Sequence, residues 1–142
     1  MNLSALITDN VAELLVRILE FTQARHQVLA ENIYEMDNPD FLPRDLEVEC
    51  FAELMDRAID SHQSSGRLLL RDTRNIKFGM GGCLKLEAVI DDVAGRLLKR
   101  DVKDYIELQK EKLKENLVNY RLARELLKQK LGMTPAAGAC SF

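Results

Sequence analysis

Two prolines, Pro39 and Pro43, with Asp37 and Asn38 ahead of them, end any helix arriving from the N-terminal side. Proline fixes φ and carries no amide hydrogen, and the residue before it is pushed out of the helical region. Upstream there is no such break. Val11, Leu14, Leu15, Ile18, Leu19, Phe21, Val28, Leu29, Ile33 and Met36 recur at helical spacing, and Thr8 or Asp9 can cap the start. This pattern predicts one helix over 9–36, about 42 Å long at 1.5 Å per residue, and a proline loop over 37–44. An apolar stripe of that length is covered along its whole extent only if a second long helix runs beside it.

The other end of the chain supplies one. Over 104–131 the residues Ile106, Leu113, Leu117, Tyr120, Ala123, Leu127 and Leu131 form a second stripe, and Gly132 with Pro135 beyond it marks the stop. The expectation is a mainly α fold in which these N- and C-terminal helices pack as an antiparallel, coiled-coil-like hairpin. Thr22, Arg25 and Asn32 in the first helix, with Gln109 and Asn116 in the second, lie on or beside the apolar stripes. Two readings are open for them: a solvated margin, or buried polar groups that specify register at a cost in stability.

A short helix over 45–61, capped by Asp45, sets Leu46, Cys50, Leu54 and Ala58 on one face, and SHQSSGR then breaks it. Residues 62–103 form a variable middle. Gly79-Met80-Gly81-Gly82 fits no phosphate-loop pattern and reads as a flexible break. Asp92 to Gly95 is read as the turn of a small β-hairpin, with a helix over 84–98 as the alternative. A flexible tail over 132–142 closes a single domain spanning 1–142.

Composition narrows the function. A net charge of −3 carries no general attraction to nucleic acid or anionic lipid, and no Lys/Arg block dominates. The start, MNLSALITDNVAELLVRILEF, has no basic leader and already carries Asp9 and Glu13, so no cleaved signal peptide is expected. No apolar run reaches the roughly 18 residues of a membrane span, so direct membrane insertion is not expected. Cys50, Cys83 and Cys140 are widely spaced and odd in number, and read as free thiols. His26 and His62 are far apart, and the acidic residues from Glu35 to Glu49 lack calcium-loop spacing. Neither a catalytic site nor a cofactor or metal site is expected.

The proline loop and its flanks resemble the flagellar basal-body rod protein family. In that family a helix reading R-Q-x-x-L-A-x-N-I-A-N leads through a polar residue into T-P-G-Y. Arg25, Gln27, Leu29, Ala30, Asn32, Ile33, Asp37, Pro39 and Phe41 fall in matching places here, and Arg44-Asp45-Leu46 resembles the R-D-L of the proximal-rod members. His26, Tyr34-Glu35, Asn38 and Asp40 depart from the pattern. Thr73 and Ile76 match a T-x-x-H-I segment, with Asn75 at the His position, and Ile106-Glu107, Leu113, Asn116 and Tyr120 keep the spacing of the family's C-terminal helix.

The resemblance implies a structural, non-catalytic subunit of the proximal rod in the bacterial flagellar basal body, on the periplasmic side of the inner membrane. It would be exported by the flagellar type III apparatus and would self-assemble through its terminal helices. Its implied partners are other rod subunits, the membrane-ring and rod-junction proteins and the export apparatus. The expected assembly residues are Leu15, Ile18, Leu29, Asn32, Ile33, Leu113, Asn116, Leu117, Tyr120 and Leu127, with Pro39 and Phe41 shaping the loop. The alternative is a helical export chaperone or adaptor that binds one partner in a groove.

Overall fold

The computed structural model describes residues 9–79 and 84–132. Most of the glycine break, Cys83, Cys140 and the tail beyond Gly132 lie outside these residues, as does Thr8. Helix α1 spans Asn10–Tyr34, and Asp9 caps it by accepting from the Val11 amide at 2.8 Å. At the far end, α4 spans Val102–Leu131. Asp101 caps its start by accepting from Asp104 N, and Gly132 ends it at φ 65° with its amide bonded to the Lys128 carbonyl. Only glycine enters that left-handed conformation without a steric cost.

The two long helices lie antiparallel. Asp9 meets Lys130 at one end of the pair, Thr22 meets Asn116 in the middle, and Asn32 meets Gln109 towards the other end. Ala12, Leu15, Leu19, Ala123 and Leu127 form the apolar contact between them. The expected hairpin of terminal helices is therefore the backbone of the fold.

The middle of the chain wraps one side of α1. Helix α2 covers Val48–Ser65 and stops at Gly66, φ 72°. It starts later and ends later than the expected 45–61. Asp45 does not cap it, because its carboxylate accepts from the Leu46 amide and from Arg25. The SHQSSGR break reduces to Gly66: Ser61, Ser64 and Ser65 stay helical, with the Ser64 and Ser65 hydroxyls bonded back to the Ser61 carbonyl.

A second core joins α2 to α1 and to the irregular segment. Leu14, Phe21, Leu46, Phe51, Leu54, Met55, Ala58, Ile76, Phe78 and Leu84 fill it, and the Phe21 and Phe51 rings stack with centroids 4.1 Å apart. Cys50 is half-buried at its edge as a free thiol.

Strands β1 (Arg44–Asp45), β2 (Ile76–Lys77), β3 (Lys85–Leu86) and β4 (Val89–Ile90) form two antiparallel pairs, β1 with β4 and β2 with β3. The predicted turn at Asp92–Gly95 is not a turn. Helix α3 runs Asp92–Arg100, with the Asp91 carboxylate accepting from the Ala94 amide at 3.0 Å. Aspartate serves both as a turn former and as an N-cap, and here the cap prevails. The alternative helix over 84–98 is also corrected, since Lys85–Leu86 and Val89–Ile90 are extended and the helix begins only after them.

Burial separates two leucines that the sequence treats alike. Leu29 is 0% exposed and Leu117 is 40% exposed. Leu29→Ala should cost about 2–5 kcal/mol in urea unfolding, whereas Leu117→Ala should stay within about 0.5 kcal/mol. Equal effects would contradict this packing.

Candidate assembly interface

The polar residues of the two stripes are not at a solvated margin. Thr22, Arg25, Asn32, Gln109 and Asn116 are all buried, and together they form a seam between α1 and α4. Burial removes their water, so each must find partners within the chain.

Asn32 finds four contacts by sitting where three elements meet. Its side-chain N–H group donates to the Arg44 carbonyl at 2.7 Å and to Gln109 Oε1 at 2.9 Å, while its Oδ1 accepts from the Arg44 amide at 3.0 Å. Its backbone carbonyl accepts from the Tyr105 hydroxyl at 2.7 Å. One asparagine thus ties α1 to β1 and to α4. Two turns earlier in α1 the seam becomes ionic. Arg25 donates from Nε and Nη2 to the two Asp45 oxygens at 3.0 and 3.1 Å, and Lys112 bridges Asp45 at 3.1 Å and Asp91 at 2.7 Å. Asn116 then donates to the Thr22 carbonyl at 2.7 Å, and the Thr22 hydroxyl donates to the Ile18 carbonyl in the preceding turn.

The charges of this seam shift one another. Burial pushes the Asp91 carboxyl up, but the Lys112 ammonium and the Ala94 amide together outweigh it and hold Asp91 below its ordinary value. Burial likewise works against the Lys112 ammonium, and its bonds to Asp91 and Asp45 overcome that and raise it. Tyr105 is pushed up to about 12 by burial and by the nearby Asp91 carboxylate. Its phenol stays protonated as a donor to Asn32.

Of the residues expected at the interface, Leu15, Leu29, Asn32, Asn116 and Leu127 are buried within the chain. Leu15 and Leu127 share one cluster, with Ile18 and Tyr120 packed against it. Ile18, Ile33, Leu113 and Tyr120 are half-buried, and Leu117 is exposed. In the loop, Pro39 is exposed and Phe41 half-buried, while Pro43 is fully buried and its carbonyl accepts from the Asp91 amide. Asn38 takes over the turn: its side chain accepts from the Asp40 amide and its carbonyl from the Phe41 amide. No residue of the loop has positive φ, so the turn forms without glycine.

Sequence reasoning missed the residues that complete both the seam and the surface. Asp45, read from sequence as a helix cap and part of the Arg-Asp-Leu match, instead joins Asp91 and Lys112 from two other elements, and no local spacing links the three. Glu20 is buried and anchors the middle segment by accepting from the Leu84 amide at 2.8 Å. Val118, Leu122 and Leu126 are exposed at four-residue spacing along α4, a pattern visible in the sequence once the buried face is known. Among the described residues, no helix is long and apolar enough to cross a membrane. Comparison with protein-family models, curated proteins and solved structures found no match.

Two measurements test the seam. Asn32→Leu removes three side-chain hydrogen bonds and should cost about 2–3 kcal/mol in urea unfolding; a loss below about 0.5 kcal/mol would contradict its role. Stability should also fall at both ends of the pH range. Asp91 titrates below its unfolded value of 3.8, so its contribution is complete above 3.8 and is lost as pH drops through the folded value. Lys112 and Tyr105 are raised above 10.5 and 10.0, so theirs are complete below those values and are lost as pH climbs through the folded ones, about 12 for Tyr105. Thermal melts of Lys112→Met should show shallower acid and alkaline limbs than the parent; unchanged limbs would count against the network.

Proposed function

We propose that this chain is a structural subunit of the bacterial flagellar rod, of the proximal-rod type, which works by packing against its neighbours rather than by catalysis. The observation that carries this reading is the convergence of the two stretches that resemble the rod pattern. Asn32 and Asp45 of the first meet Gln109 and Lys112 of the second across more than sixty residues of intervening chain, Arg25 holds Asp45, and Asn116 of the second reaches the Thr22 carbonyl just ahead of the first. Four of the resembling residues, Arg25, Asn32, Asp45 and Asn116, therefore take part in locking the terminal helices together. The ionisable groups of the seam are engaged with one another, which fits a structural role better than proton transfer.

Assembly on this reading uses the outer face of α4. Val118, Leu122 and Leu126 are exposed there, and Leu117 on the opposite flank of the helix from Leu126; the described residues leave them uncovered, and a neighbouring chain would bury them. Its partners would be other rod subunits and the membrane-ring and rod-junction proteins, reached after passage through the flagellar export apparatus. The alternative of a helical export chaperone or adaptor is favoured by one feature, an open apolar groove between α2 and α4.

The deciding experiment is mass spectrometry of washed hook–basal-body particles from cells that make the protein. The proposal predicts its peptides in the particles, and predicts that Leu117→Asp removes them while leaving the free chain folded. Absence from the particles, with a folded species in the cytoplasm, would favour the chaperone or adaptor.

A further inference from the structure

Helices α2 and α4 both run antiparallel to α1, as the contacts Asn10–His62, Phe21–Phe51 and Asn116–Thr22 require. They flank α1 without closing over it. Between them lies a groove of about 350 Å³, with Ile18 and Phe21 of α1, Phe51, Met55 and Ile59 of α2, and Leu122 and Leu126 of α4 among its lining residues. The described residues thus supply three helices of a four-helix arrangement and leave the fourth position open. The lining on α2 runs from Val48 to Ile59, about 17 Å of helix, or three turns.

The edges of this groove carry one sign of charge. Glu49, Asp56 and Asp60 recur at seven- and four-residue spacing along the exposed side of α2, beside the lining residues Ala52 and Ile59. Glu115 of α4 is exposed near Arg25, with the two charges 3.7 Å apart. Among the described residues that line the groove, Arg25 is the only Lys or Arg, and its guanidinium is committed to Asp45. Arg57 is turned away, pairing with Glu53 and lining a separate cleft with Leu54, Leu69 and Arg71.

We propose that this groove is the docking site for a basic amphipathic helix of a partner protein. The helix would lay an apolar stripe of about three turns on Ile18, Phe51, Met55 and Leu122 and set its Lys or Arg flanks against the acidic edges. An apolar floor supplies burial, and the acidic edges supply orientation and discrimination against acidic helices. The inference does not rest on the rod assignment, because the groove belongs to the isolated chain.

The test is fluorescence anisotropy with two designed helical peptides that share one leucine stripe at helical spacing, one flanked by lysine and the other by glutamate. The lysine peptide should bind at least about tenfold more tightly than its glutamate twin, and its binding should weaken as salt rises towards about 0.5 M. Asp56→Lys combined with Asp60→Lys, both at exposed positions, should remove most of that preference, and Leu122→Glu should abolish binding, with circular dichroism confirming that each variant is folded. Equal binding of the two peptides, binding of neither, or binding unaffected by Leu122→Glu would each overturn the proposal. So would sedimentation in which the chain self-associates through Leu122 and excludes the peptide, since the occupant would then be a second copy.

Discussion

The Asn32 amide is closed off from water between α1, β1 and α4, and everything else in the hairpin has to accommodate its need for partners. A buried carboxamide without hydrogen bonds costs a large fraction of a small domain's stability. Gln109 reaches it only when α4 lies at one particular height along α1, and Arg44 reaches it only when the proline loop turns back at one particular point. Leucine stripes tolerate sliding by a turn; these hydrogen bonds do not. The polar seam therefore selects one register from several that apolar burial alone would accept.

The ionic part of the seam extends the same logic to the middle of the chain. Asp45 and Asp91 stand at the ends of short extended segments whose strands pair with each other, and both point at Lys112. Lys112 thus ties two elements to α4. Asp91 serves twice, capping α3 with one oxygen and receiving Lys112 with the other. The helix that follows is tied to the same point that closes the loop.

The long helices were legible in the sequence because their signals are local. Helical spacing of leucines, an aspartate cap and a terminal glycine act within a few residues of one another, and α1 and α4 end within about two residues of where those signals put them. Thr22, Arg25, Asn32, Gln109 and Asn116 stood out as polar residues in apolar stripes, yet the sequence left open whether water or protein faced them. Apart from Thr22, whose hydroxyl bonds back within α1, their partners are set by tertiary approach over twelve to ninety-four residues of separation. Asp91 was open to misreading, since a turn and a cap place the same residue type before the same kind of sequence. The groove was invisible for a related reason: Ile59, Leu122 and Leu126 look like core until the described helices leave them uncovered.

The central claim is that polar contacts, rather than apolar packing, set the register of α1 against α4. Pulsed electron–electron distance measurement between nitroxide labels at His26 and Lys128, exposed positions well separated along the helix axis, tests it directly, in the parent and in the Asn32→Leu/Gln109→Leu double variant. The account predicts one narrow distance in the parent, and in the variant an added population displaced by about one helical turn, roughly 5 Å. A single unchanged distance in a folded variant would contradict it, and would assign register to the leucines.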